Sequence, residues 1–406
     1  MSIIRMFSGT FCHGEELAEK VAAELGCELL DDLYVVKEAS SRVGIPEDKF
    51  TRTLSGKVSA FNSFTHERER VTSCLKLVVA ELTARDNVVL SGNCSQLVSA
   101  EISHVLGVCI IADLGYRYKL AMQECGMSEN EAQGIVHKDD ESRILWTDYV
   151  LGKSPWDADL YDVLIPTNQI EVNEAVELIC NSARRDALKV TEASLQAVED
   201  FNLAARAEVA LGKAGHNVSV SAKGGKVILT INKHVIMLAR LEEELKRTVA
   251  EVEGVEEVET KVGPGFYQVG VYCQFDPELP SKVLLVDDER EFVHTLSERL
   301  QMRDVGSTVV YDGEQALSFV EEEEPDVMVL DLKMPGIDGV EVLRRIKQEH
   351  RNIEVIVLTG HGSKKDEETC MALGAFAYLQ KPVDIDRLSQ VMQEAYRKIR
   401  SKEQND

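Results

Sequence analysis

The sequence predicts an α/β protein built from several domains, and three observations carry that prediction. Short continuous apolar runs, as in parallel strands covered on both faces, alternate with amphipathic helical stretches in the first 185 residues and again after Lys282. Between them, apolar residues alternate around a Gly-Gly pair, as in an antiparallel hairpin. At 406 residues the chain also exceeds what one hydrophobic core usually serves.

The first block, 1–185, opens with "SIIRMFSGTFCHGEELAEKVAAELG", a strand, a turn and a helix starting near Gly14. Leu17, Val21 and Leu25 share one face of that helix, and Gly26 ends it. "NVVLSG" and "GVCIIAD" are further strands of a parallel sheet. The second block, 186–276, is α+β: a helix carrying Leu195, Val198, Phe201 and Ala205, a hairpin about Gly224-Gly225, a helix carrying Leu238, Leu241, Leu245, Val249 and Val252, and the strand "GVEEVETKV". A linker is expected at 277–281, around Pro280. The third block, 282–400, repeats strand and helix five times, with strands "KVLLV", "TVVY", "DVMVL", "EVIVL" and "AFAYLQ" and a last helix over about 385–398. Residues 401–406 form a charged tail.

A net charge of -25 argues against a nucleic-acid surface, which needs a basic stripe. Nine scattered cysteines, with no Cys-x-x-Cys, suit reduced thiols rather than disulfides or zinc. With no membrane-length apolar run and no signal-peptide core at the start, the chain is expected to be cytoplasmic and free of membrane contact.

The strand ends of the third block pose a question. Strand one stops on Asp287-Asp288, strand three on Asp331, strand four on Thr359 and strand five on Lys381. Ligands of open parallel sheets bind at the carboxyl ends of the strands, so these groups gather at one edge. A lone Asp-Asp is usually a solvated strand end. Three carboxylates together suit a hard cation such as Mg²⁺, and beside it one carboxylate can act as a nucleophile towards phosphorus. An Asp-x-Asp phosphatase would need an acid at 333, where Lys333 stands.

With "VDDE", "LDLKMPGIDG", "LTGHG" and "YLQKPVD" in order, residues 282–398 closely resemble the receiver domain of two-component response regulators, a flavodoxin-like (βα)5 fold. The resemblance implies that Asp331 is the phosphoacceptor and that Asp287, Asp288, Asp331 and the Lys333 main-chain carbonyl hold Mg²⁺. It implies that Thr359 and Tyr378 form the switch pair, that Lys381 contacts the phosphoryl group, and that Lys381-Pro382 is cis. A sensor histidine kinase or phosphotransfer protein is the implied partner. An output protein is implied too, without being identified.

The first block resembles the cytidylate-kinase-like branch of the P-loop kinases through "GEELAEKVAAELGCELLDD", "HVLGVCIIADLGYRYKLAMQECGMSENEAQ", "KDDESR" and "DLYDVLIPTNQIEVNEAVELI". Gly9 and Gly14 keep phosphate-loop spacing, but Glu15 and Glu16 replace the Lys and Ser/Thr that would meet phosphate and Mg²⁺. Phe11, Cys12 and His13 stand where the branch has glycines, and "SGN" (91–93) where it has Gly-Arg-Gly. Arg117 and Arg143 remain as candidate phosphate contacts. The altered loop argues against a bound nucleotide. The second block resembles a BON domain, from about 191 to 262.

The expectation is therefore a response regulator, a signalling protein rather than an enzyme, whose phosphorylation on Asp331 switches contacts of the kinase-like and BON-like blocks. A phosphorylation-gated cytidylate kinase is the alternative, and a lipid- or polymer-binding adaptor acting through the BON-like block is a third. A homodimer stays open. The short stretch after Lys381 leaves room only for the last helix of the third block, so no DNA-binding helix-turn-helix is expected after it.

Overall fold

The computed structural model describes residues 3–233, 235, 237–267, 280, 282–301, 303, 305–360 and 363–403. The linker expected at 277–281 lies outside these residues except for Pro280, as do residues 404–406 of the tail. The chain divides into two compact units: Met1–Val58 with Arg68–Lys213 and Val218–Gly270, and Ser59–Glu67 with Ala214–Asn217 and Val271–Asp406.

The first unit holds a five-stranded parallel sheet of β1 (Ile3–Ser8), β2 (Glu28–Leu30), β3 (Val88–Ser91), β4 (Val105–Ile111) and β5 (Val163–Pro166), in the order β2-β3-β1-β4-β5. The helix after β1 spans Gly14–Leu25, as its apolar spacing predicts. Gly14 is needed there because a Cβ would overlap the Ser8 side chain at the end of β1. Leu17 and Val21 of that helix pack with Ile110, Ile165 and Ile179 on one face of the sheet. On the other face, Leu75, Val79 and Trp146 pack with Val198, Phe201, Ala205 and Val209. The helix Glu192–Lys213, which supplies those last four residues, is thus part of the same core as the parallel sheet.

A three-stranded sheet belongs to the same unit. β6 (Ser219–Lys223) and β7 (Lys226–Ile231) form the expected antiparallel hairpin, turning on Gly224 and Gly225 at φ of 55° and 80°. β8 (Glu257–Val262) runs parallel to β7 after the helix Leu238–Ala250, whose buried Leu241, Leu245 and Val249 follow the predicted spacing.

The second unit carries β9 (Val283–Val286), β10 (Ser307–Val310), β11 (Val327–Leu330), β12 (Glu354–Thr359) and β13 (Ala377–Gln380), all parallel, in the order β10-β9-β11-β12-β13. Chain order 2-1-3-4-5 is the flavodoxin-like arrangement, with its switch point between the first and third strands. Successive residues point to opposite faces. Leu284, Val286, Met328 and Leu330 meet Val342 and Ile346 of the helix Gly339–Glu349. Val283, Leu285, Val327 and Val329 meet Leu388, Met392 and Ala395 of the helix Ile385–Glu403. Within this unit the buried Glu323 accepts hydrogen bonds from the Ser59 hydroxyl and, at 2.9 Å, from the Ala60 N–H. No helix among the described residues is long and apolar enough to cross a membrane.

Candidate functional site

Parallel register carries the three central strands of the second unit to one edge. Val286 pairs with Leu330 and Leu330 with Val357, so Asp287 and Asp331, each one residue beyond its strand, emerge side by side. Thr359 closes β12, paired with Gln380, and Lys381 comes directly after β13. Apolar strands fix the position of these residues, and the polar residues at the strand ends supply the chemistry.

Asp287 and Asp331 are buried, while Asp288 is exposed. One oxygen from each of the three lies within 4.8 Å of the others. Like charges this close are costly unless a cation stands among them. Here Lys381 does: its Nζ lies 2.7 Å from Asp287 Oδ2, 3.1 Å from Glu289 Oε1 and 3.2 Å from Asp331 Oδ2. Its side chain is only 10% exposed, and the ammonium sits 4.4 Å from the centre of the Phe292 ring. Burial works against the Lys381 charge, yet Asp287, Asp331 and Glu289 outweigh it and its pKa is raised. Burial raises the Asp287 pKa as well, in spite of the hydrogen bond from Lys381, with the Asp331 charge adding to the rise.

The Asp331 Oδ1 accepts from the N–H of Leu332 at 2.7 Å and of Lys333 at 3.4 Å, and the Glu289 N–H donates to Asp287 Oδ1 at 2.9 Å. These bonds fix two of the carboxylates. Gly339 presses against the Asp331 backbone, where a Cβ would overlap the carbonyl oxygen. Thr359 is fully buried. Tyr378 pairs with Val357, two residues before Thr359, so Tyr378 and Thr359 share a sheet face as diagonal neighbours. The Tyr378 hydroxyl is buried without a hydrogen-bond partner among the described residues, and burial raises its pKa. The Lys333 side chain is exposed. Lys381-Pro382 is cis.

Oxygen-only donors grouped in this way fit a hard dication, and Asp287, Asp288 and Asp331 are the residues able to hold one. Glu289 and Phe292 are the members of the site that spacing alone did not single out. Glu289 stands inside "VDDE", but nothing local indicates that its side chain reaches the residue after β13.

The candidate phosphate turn of the first unit is differently furnished. Phe11 and His13 adopt positive φ of 56° and 55°, a conformation glycine enters freely. His13 Nε2 lies 3.0 Å from the Tyr116 hydroxyl and its Nδ1 3.2 Å from Glu16, which also pairs with Lys20 at 2.9 Å. The Lys20 hydrogen bond is the main cause of a lowered Glu16 pKa. Arg117 is buried, grips Asp140 through both Nη atoms at 2.8 and 2.7 Å, and donates from Nε to the Thr10 carbonyl at 2.7 Å. Arg143 pairs with Asp139 at 2.6 Å and reaches Asn93 at 3.3 Å. Asp32 accepts from the N–H groups of Asn93 and Cys94 at 2.8 and 2.7 Å, fixing the "SGN" turn. Gly9 lies in this candidate turn, its N–H bonded to the Ile110 carbonyl at 3.1 Å. Both arginines therefore have carboxylate partners inside the protein.

Comparison with known proteins agrees with this division. Residues 283–393 match the family described as "Response regulator receiver domain", and residues 3–169 match the "Cytidylate kinase-like family". Sporulation initiation phosphotransferase F of Bacillus subtilis (strain 168) is 37% identical over 107 residues, covering 26% of this chain and 86% of that protein. Transcriptional regulatory protein CpxR of Escherichia coli (strain K12) is 41% identical over 102 residues, 25% of this chain and 43% of that protein, so the match spans less than half of this second relative. Among solved structures, a response regulator receiver domain protein from Clostridium thermocellum is 32% identical, covering 29% of this chain and 94% of that one with a TM-score of 0.28. The receiver domain of NtrX from Brucella abortus is 27% identical, covering 28% of this chain and 98% of that one, also at 0.28. Through its C-terminal block, the chain belongs to the response regulator receiver family.

Proposed function

We propose that Asp331 accepts a phosphoryl group from a histidine kinase or phosphotransfer protein, and that the acyl phosphate so formed switches contacts made by the kinase-like and BON-like blocks. The observation that carries this reading is the strand-end cluster of Asp287, Asp288 and Asp331 with the Lys381 ammonium among its carboxylates. In the transfer, an Asp331 oxygen attacks phosphorus; a P–O bond forms, the P–N bond to the donor imidazole breaks, and the imidazole nitrogen keeps the electron pair. Lys381 meets an oxygen of the arriving group as a point charge. The Thr359 hydroxyl donates to another, and Tyr378, on the same face, follows its movement. Asp287, Asp288, Asp331 and the Lys333 main-chain carbonyl would hold Mg²⁺. That ion, when bound, offsets negative charge on the phosphoryl oxygens.

The kinase-like block acts in this reading as a docking module without nucleotide turnover. Its support is that Arg117 and Arg143, the two candidate phosphate contacts, are engaged by Asp140 and Asp139, while Glu15 and Glu16 crowd the helix start with negative charge. The helix, hairpin, helix and strand over 192–262 have the order expected of a BON-like spacer. A gated cytidylate kinase remains the second reading because residues 3–169 match that family. Labelling with radioactive acetyl phosphate and Mg²⁺ tests the first: one hydroxylamine-sensitive group per chain is expected, absent from Asp331→Ala. Equal labelling of that variant would overturn it. Turnover of ATP and CMP that disappears in Arg143→Ala would establish the second.

A further inference from the structure

Lys381 offers three N–H donors, and it has three carboxylates around it, of which only Asp287 and Asp331 are expected to touch a metal or the phosphoryl group. The third is Glu289, at 3.1 Å, with a side chain 66% exposed against 6% for the other two. The Glu289 main chain is held at the site as well, since its N–H donates to Asp287 Oδ1 at 2.9 Å. Resting on the phosphoacceptor reading above, we propose that Glu289 is a positioning residue that draws the Lys381 ammonium towards the rim and places a negative charge at the mouth of the site, slowing entry of dianionic phosphoryl donors.

The effect is electrostatic. When Asp331 receives a phosphoryl group, Lys381 must turn a donor towards a new oxygen. Asp287 and Asp331 can release the ammonium to a cation of their own. Glu289, out at the rim, forms its ion pair with Lys381 and keeps its claim on that ammonium. An incoming dianion therefore competes with Glu289 for one ammonium and meets its charge on the way in. A charge at a rim acts chiefly on the rate of association and on its salt dependence.

The test is the rate of acetyl phosphate labelling of full-length wild type, Glu289→Gln and Glu289→Asp at fixed saturating Mg²⁺, in low and high salt. Glu289→Gln keeps the shape and removes the charge; at this exposed position an unchanged melting temperature is the folding control. It should label about two- to fivefold faster at low salt, the scale of one partly screened exposed charge, and the gain should shrink towards unity near ~1 M salt, where screening is nearly complete. Glu289→Asp, which retains the charge, should follow wild type at both salt concentrations. A Glu289→Gln rate equal to or below wild type at low salt, or a gain that persists at high salt, overturns the proposal while leaving Asp331 as phosphoacceptor. Wild type that takes no label on Asp331 overturns the phosphoacceptor reading, and this proposal with it.

Discussion

Lys381 is the ammonium about which Asp287, Glu289 and Asp331 gather, and its removal separates structural from chemical roles. Lys381→Ala leaves Asp287 and Asp331 buried without their shared ammonium. Breaking a buried pair from one side costs about 3 kcal/mol or more, so metal-free protein should lose on the order of that stability. Millimolar Mg²⁺ should return much of the loss by binding the same carboxylates in the folded state. Urea melts with chelator and with Mg²⁺ check this; a loss unaffected by Mg²⁺ would mean that the acids do not form a cation site. At this scale the sequence was informative where a strand delivers a residue and silent where a side chain reaches across. Asp287, Asp331, Thr359 and Lys381 could be read because a short apolar run ends just before, or on, each of them. Glu289 reaching Lys381, or Asp140 gripping Arg117, depends on rotamers and loop paths that no local pattern records.

Helix ends give element-scale tests. Asp113 caps the helix Leu114–Cys125 by accepting from the Tyr116 N–H at 2.8 Å, and Asp113→Ala should cost about 1 kcal/mol in thermal or chemical melts. The helix Glu129–Leu151 opens with a capping box in which Glu131 accepts from the Ser128 hydroxyl and N–H. These hydrogen bonds lower the Glu131 pKa. The folded state then binds fewer protons than the unfolded one, so the contribution is present above the ordinary glutamate range and is lost as pH falls through the folded pKa. The difference in melting temperature between wild type and Glu131→Gln should accordingly narrow as pH is lowered from about 6 to about 3. A constant difference would contradict the assignment. Elements with a strong period, such as the hairpin about Gly224-Gly225 or the helix Gly14–Leu25, were legible. The three-residue β2 is too short to show a period. The helix Glu192–Lys213 displays its apolar face in sequence, but not that this face completes the core beneath the parallel sheet, because a period names a face and not its partner.

For the whole molecule, the first block matches the cytidylate kinase-like family and the last the response regulator receiver domain, and their candidate sites differ in charge. The receiver edge gathers acids about one lysine. The kinase-like turn gathers arginines already paired with acids. Calorimetry of the full chain with millimolar ATP should therefore register no binding, and Mg²⁺ should raise the melting temperature of wild type more than that of Asp288→Ala, which lacks one oxygen donor. Heat of ATP binding lost in Arg143→Ala would show that the internal ion pair yields to phosphate, and would favour the gated kinase. Phosphorylation of Asp331 is tested most sharply by treating the full chain with acetyl phosphate and Mg²⁺, reducing the acyl phosphate with borohydride, and mapping the product by mass spectrometry. Reduction to homoserine at position 331 alone, dependent on Mg²⁺, is the expected result; reduction at another carboxylate, or none at 331, would contradict it.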